Sequence, residues 1–396
     1  MKSRRFFLAQ ILLVGFLGAS IVCGVFYIAF LKPVAVTGEE AATGVAQYIQ
    51  ALSYDNRFEV SHVVCDKSGV CSDAQRGQNP TATLYWRLFA LSKMAPNSNE
   101  FRQAFEQIKK DPEPNYRIGL WLTYRALKET NNPELAAHWV KGMVRLILFL
   151  KTNEQTLSKE RTAIPINLLG IESPLRNAYS MMLATMALEL VDIIEALSPN
   201  QDAGKDTPNY KLLIAHELKL SSLKASEWLE ASKQLLPKIV PYLDSIDRED
   251  PKLRSDNSGD YSYESCWAMM VHARNWKVQN VDASHQVVEK FFQKNSFSTG
   301  KRDDYNFTSA QMIFPCVMAA RELQLDKDAH ALMQILFKNL DSPKRKLCAG
   351  NDALVSFYSR GDTKVCSGNV KSIADMAWFT YLAAGDTGQY ILEKET

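Results

Sequence analysis

The chain has 396 residues, 46% of them apolar, and 46 Lys and Arg against 44 Asp and Glu, for a formal net charge of +2. This near balance excludes the polycation field that binds nucleic acid, and the apolar content excludes disorder as the general state. The length suffices for a large core, arranged as one elongated domain or two compact ones.

Lys2, Arg4 and Arg5 open the chain, and an apolar run from Phe6 to Leu31 follows, with Gln10 as its strongly polar side chain. A cleaved secretory signal has an apolar core of about 7 to 15 residues, whereas a spanning helix needs about 20. The expectation is therefore a cytoplasmic stub at 1–5, a transmembrane signal-anchor at 6–31 and an exported domain at 32–396, with cleavage after Ala29 or Ala35 as the alternative. Basic residues stay on the cytoplasmic side, which makes this a single-pass membrane protein with a periplasmic or extracellular C-terminal domain. Gly15, Ala19 and Cys23 recur at four-residue spacing, a candidate helix-pairing stripe.

Beyond that run, apolar residues recur at three- and four-residue intervals, the mark of amphipathic helices. The pattern predicts an all-α domain with helices near 39–53, 81–94, 99–110, 114–130, 133–152, 173–197, 208–218, 221–245, 261–276, 282–295, 307–323, 326–340, 351–359 and 370–384. Capping signals support several starts, among them Asn132-Pro133-Glu134, Asp282 and Asp326. Phe58, Val60, His62 and Val64 alternate, which predicts a short β-hairpin near 58–72.

Three segments look alike: Ala126 to Ala136, Ala273 to Ala283 and Ala320 to Ala329 each end one helix, turn and start the next between small alanines. Such blocks read as α-hairpin repeats, and six or seven of them fill the domain. That number fits either an α/α toroid or an α-solenoid.

Six cysteines lie past the apolar run, an even number that fits a disulfide framework in an exported chain. Local closure pairs Cys65 with Cys71 and Cys348 with Cys366. Cys266 and Cys316 stand in the first helices of successive hairpins, where they form a bridge or remain buried thiols. None of the spacings resembles paired zinc knuckles, and His216-Glu217 lacks a second histidine at Leu220. No metal and no cofactor is expected.

Polar connectors precede the first helices of the hairpins, and in a repeat array they emerge on one rim. Arg254, Asp260, Glu264, Arg302 and Tyr305 are the candidate ligand-binding residues there, a mixture of charge and aromatic surface that suits a sugar chain. Tyr261, Tyr263, His272, Arg274 and Asp304 are the candidate catalytic residues: tyrosine and histidine exchange a proton beside a carboxylate that arginine neutralises, as a uronic-acid lyase or epimerase requires. Two readings result. One is a membrane-anchored helical-repeat binding or scaffold module with a protein or polysaccharide partner. The other is an α/α-toroid polysaccharide-processing enzyme, either a lyase or epimerase of that kind or a glycoside hydrolase. Substrate or partner identity, enzymatic status and oligomeric state stay open at this point.

Overall fold

The computed structural model describes residues 34–51, 60–65, 71–76, 80–110, 118–152, 185–193, 207–221, 224, 226–228, 230, 261–295, 310–338, 340–341, 356–357 and 370–392. These residues are mostly helical, in line with the sequence pattern. In chain order they form β1 (Val34–Thr37), α1 (Gly38–Ala51), β2 (Val60–Cys65), β3 (Cys71–Arg76), α2 (Pro80–Met94), α3 (Asn99–Lys109), α4 (Ile118–Thr130) and α5 (Pro133–Thr152). A helical stretch at 185–193 and α6 (Asn209–Leu220) follow. The remainder is α7 (Tyr261–Gln279), α8 (Asp282–Asn295), α9 (Ala310–Glu322), α10 (Asp326–Phe337), β4 (Leu340–Asp341), β5 (Ser356–Phe357), β6 (Val370–Ser372), α11 (Ile373–Ala383) and β7 (Gln389–Leu392).

Local chemistry sets the helix starts. Thr37 and Glu40 form a capping box on α1: the Glu40 amide donates to Thr37 Oγ1 at 3.1 Å and the Thr37 amide to Glu40 Oε2 at 3.3 Å, which satisfies two helix-end donors. Ser98 Oγ accepts from the Phe101 amide at the head of α3. Asn132 Oδ1 accepts from the amides of Glu134 and Leu135, while Pro133 occupies the first helical position, where no amide is needed.

The likeness of the three alanine-flanked turns is present in the backbone. Asn131, Asn280 and Gln324 follow α4, α7 and α9, and they have φ values of 49°, 54° and 60°. Gly385 stands in the same place after α11 with φ 73°. A left-handed residue closes the last turn by returning an amide to a helix carbonyl, as Asn131 does to Leu127 O and Asn280 to Trp276 O, while past the left-handed Gln324 it is the Leu325 amide that returns to Ala320 O. Each such turn folds the next helix back on its predecessor, so α5 packs on α4, α8 on α7 and α10 on α9.

Between hairpins, α2 packs against both α4 and α11, α11 against α9 and α1, and α9 against α7. Their contact faces are aromatic. Phe314 and Trp378 approach to 4.0 Å between ring centroids, Phe89 stacks on Tyr381 at 4.4 Å, and Trp121 meets Trp267 edge-on at 5.5 Å. All six rings are buried. Beyond simple burial, each such pair contributes about 0.5–1.5 kcal/mol.

A disulfide joins Cys266 of α7 to Cys316 of α9, with Cα atoms 4.5 Å apart. Of the two states the sequence left open for this pair, a bridge or buried thiols, it is the bridge that forms. Cys65 and Cys71 face each other in the register of the β2–β3 hairpin, which matches the predicted hairpin near 58–72 and gains β6 as a third strand. The side chains of Cys65 and Cys71, and all of Cys348 and Cys366, lie outside the described residues.

Three expectations are corrected. The single-pass membrane placement does not stand: among the described residues no helix is long and apolar enough to cross a membrane. The two longest, α5 and α7, carry charges along their length, such as Glu134, Lys141 and Arg145 in one and Arg274 and Lys277 in the other. The stub at 1–5 and the span at 6–31 lie outside the described residues. Second, the helix predicted at 351–359 contains a strand at Ser356–Phe357, which pairs with Leu340–Asp341. Third, no strand was predicted at 34–37 or 389–392, yet β1 and β7 pair antiparallel from Val34↔Leu392 to Thr37↔Gln389. The side-chain amide of Gln334 covers the other edge of β7, donating to Ile391 O at 2.8 Å and accepting from the Ile391 amide at 3.0 Å.

Candidate functional site

The densest polar cluster among the described residues is buried where α4, residues 185–193, α7, α9 and α11 meet. Helix α4 contributes Trp121, Tyr124, Arg125 and Lys128, at positions i, i+3, i+4 and i+7, which place all four on one face. Arg125 is buried, and its guanidinium lies 5.4 Å from the Trp121 ring centre and 5.3 Å from that of Tyr381. Lys128 Nζ sits over Tyr124 and Tyr210 at 5.6 and 5.2 Å. Cation–π attraction of this kind gains strength as the site is desolvated.

Glu189 is the hub. It is a buried carboxylate with Arg274 Nη2 at 2.6 Å and Lys128 Nζ at 3.6 Å from its Oε1. Arg274 also reaches Glu322 Oε1 through Nη1 at 3.3 Å. One anion on residues 185–193 thus links a cation of α4 to a cation of α7, which in turn holds α9. Nearby, the Tyr381 hydroxyl donates to Glu129 Oε1 at 2.6 Å and Lys93 Nζ lies 4.7 Å from the Tyr381 ring centre. Trp121 Nε1 donates to Thr185 Oγ1 at 3.1 Å.

Electrostatics fixes the protonation states. Burial by itself would raise the Glu189 carboxyl, but Lys128 and Arg274 outweigh it and hold the group at about 2. Burial would likewise lower Arg274, yet Glu189 and Glu322 raise it above the ordinary arginine value. Tyr124 is pushed well above the usual phenol range, first by burial and then by the Glu189 charge. Lys128 moves the other way, lowered by burial to about 8 with partial opposition from Glu189. Glu189 and Arg274 are therefore in their charged forms and Tyr124 in its neutral form near neutral pH, a state suited to holding helices together.

Of the sequence-predicted site residues, the side chains of His272 and Arg274 are described. Arg274 enters the buried cluster, but His272 is turned to the neighbouring helix α8, where its Nδ1 lies 3.3 Å from Ser284 Oγ; Asn275 donates to the same oxygen. The two residues sit on opposite sides of α7 and are not brought together. Tyr261, Tyr263 and Glu264 lie in the first turn of α7, with side chains outside the described residues. Arg254, Asp260, Arg302, Asp304 and Tyr305 also lie outside them.

Sequence reasoning missed Lys128, Glu189 and Glu322. The available signal was Glu189 itself, an acid inside the apolar run Met186-Ala187-Leu188 and Leu190-Val191, because a charge on an apolar helix face must find a partner. Among the described residues no group of three or more His, Cys, Asp or Glu is placed to hold a metal ion. Comparison with known proteins finds no matching family model, no matching curated protein and no matching solved structure.

Proposed function

We propose that the helical hairpins form a closed α/α toroid that serves as a binding or scaffold module. Closure is supported by the order of packing: α7 on α9, α9 on α11, α11 on α2 and α2 on α4, with Glu189 carrying the path from α4 back to α7. An open solenoid would keep α2 and α11 apart, since such repeats touch only their neighbours.

The observation that carries the binding reading is the packed centre of this ring. Trp121, Trp267, Phe314 and Trp378 fill it, and the charges beside them are committed to one another. A polysaccharide-processing enzyme would need a free acid–base group, whereas His272 lies against Ser284 of α8 and Arg274 is paired with Glu189 and Glu322. A rigid ring instead offers its rim and outer surface for recognition, with little ordering to be done on binding.

The test combines two measurements on the full chain. Small-angle scattering should give a radius of gyration of about 21 Å, the value for a compact chain of this length, and a panel of acidic and neutral polysaccharides should be left uncut. An elongated envelope would overturn the ring. Turnover abolished by His272→Ala, with the fold intact, would overturn the module in favour of the enzyme.

A further inference from the structure

A groove of about 470 Å³ opens between the first turns of α10 and the loop from α11 to β7, and its lining includes Arg321, Asp326, Ala329, His330, Asp386 and Tyr390. Its volume is in the range of small-molecule pockets, about 300–1,000 Å³. The wall is the stacked pair of His330 and Tyr390, backed by the buried Phe337. Phe337 lies on Tyr390 at 4.1 Å and 10°, Tyr390 lies on His330 at 4.7 Å and 18°, and His330 is exposed at the end of the stack.

The polar groups are fixed before anything binds. Asp386 Oδ2 accepts from Arg321 Nη2 and from the Tyr390 hydroxyl, both at 2.7 Å, and its Oδ1 accepts from the Gly388 amide at 2.8 Å. Arg321 is held a second time, donating through Nη1 to Leu382 O at 2.8 Å. A Cβ on Gly388 would stand 2.9 Å from Asp386 Oδ1, 3.1 Å from Tyr390 Oη and 3.4 Å from His330 Nδ1. Glycine therefore keeps open a space on which a carboxylate, a phenol and an imidazole converge.

We propose that this groove binds a neutral sugar ring. Hydroxyl groups both donate and accept, which matches carboxylate, phenol, imidazole and guanidinium set side by side, and the C–H face of a pyranose lies flat on an aromatic ring, as the exposed His330 provides. Two carboxylates, Asp326 and Asp386, face one guanidinium, Arg321. That balance repels an anionic ligand and selects against uronic acids and phosphates. The proposal rests on the binding-module reading and names its ligand class.

The test is titration of the full chain with cellobiose, N,N′-diacetylchitobiose and glucuronic acid, followed by calorimetry and saturation-transfer NMR. At least one neutral disaccharide should bind saturably, with glucuronic acid about tenfold weaker or more. His330→Ala and Asp326→Ala, both at exposed positions, should each weaken binding about tenfold, the effect of one hydrogen bond or ring contact, with cooperative unfolding retained and the melting temperature lowered by a few degrees at most. Absence of saturable binding by both disaccharides, equal binding of glucuronic acid, or wild-type affinity in both variants would each overturn the sugar site. Such failures would leave the ring and its scaffold role standing, whereas cleavage of a bound disaccharide would count against the module reading itself.

Discussion

Acid should destabilise this protein through one histidine. His138, on α5, is buried and meets the Phe105 ring edge-on at 6.3 Å, with the Tyr85 hydroxyl 3.5 Å from its Nε2. Burial, reinforced by the nearby charges of Lys141, Arg145 and Lys109, lowers its pKa from 6.5 to about 4. In the unfolded chain the imidazole takes its proton near 6.5, so between the two values the unfolded state binds more protons than the folded one. Stability therefore rises with pH through this window and is lost on acidification. Each pH unit is worth about 1.4 kcal/mol, which gives a loss of about 2 kcal/mol by pH 5 and about 3 kcal/mol by pH 4.

Urea unfolding of the wild type and of His138→Gln at pH 7, 6, 5 and 4 measures it. Glutamine retains an acceptor for Tyr85 and cannot titrate, so the variant should lack this part of the slope and lose only what the carboxylates shared by both proteins contribute. Parallel stability–pH curves for the two proteins would refute the reasoning, because they would mean that His138 takes its proton without cost in the folded state.

Other substitutions read other links. Glu189→Gln leaves Lys128 and Arg274 with one fewer buried anion and should cost about 3–5 kcal/mol in chemical denaturation; a loss below 1 kcal/mol would show that the cluster is solvated. Removing the bridge by Cys266→Ala with Cys316→Ala frees a loop of 50 residues, for which the loop-closure model gives about 4 kcal/mol, to be read as a drop in melting temperature relative to the oxidised protein. At the α7–α8 turn, Asn280→Gly should leave stability within a few tenths of a kcal/mol or raise it, while Asn280→Val should cost about 1–2 kcal/mol, since the left-handed φ of 54° opposes a β-branched side chain. Equal stabilities of the two variants would contradict that strain.

How far the sequence reaches depends on the range of the interaction. Helix ends set by neighbours were legible: Pro133 after Asn132, Asp282 and Asp326 mark starts that the structure places at Pro133, Asp282 and Asp326. The likeness of the three turns was also legible, because each needs small residues on both sides and one residue able to turn left-handed. Ser356–Phe357 was not, since a two-residue strand has no periodicity and exists only through Leu340–Asp341. The Glu189 hub was hidden for the same reason. Its partners lie at 128 and 274, and a charge inside an apolar run signals that a partner is needed without saying which.

The separation of His272 from Arg274 is a different case, because it follows from helix geometry alone. At 3.6 residues per turn each step rotates by about 100°, so two residues at i and i+2 diverge by about 200° and cannot face one cleft. The residues that can share a cleft with Arg274 on α7 are Met270 and Val271, one turn back, and Lys277 and Val278, one turn on. Met270 and Val271 are buried and apolar. Lys277 and Val278 end the helix beside the Asn280 turn. The Arg274 guanidinium is completed by Glu189 and Glu322 from other helices. That is why Arg274, expected from the sequence to neutralise a substrate carboxylate, instead ties α7 to residues 185–193 and α9 through carboxylates of the chain itself.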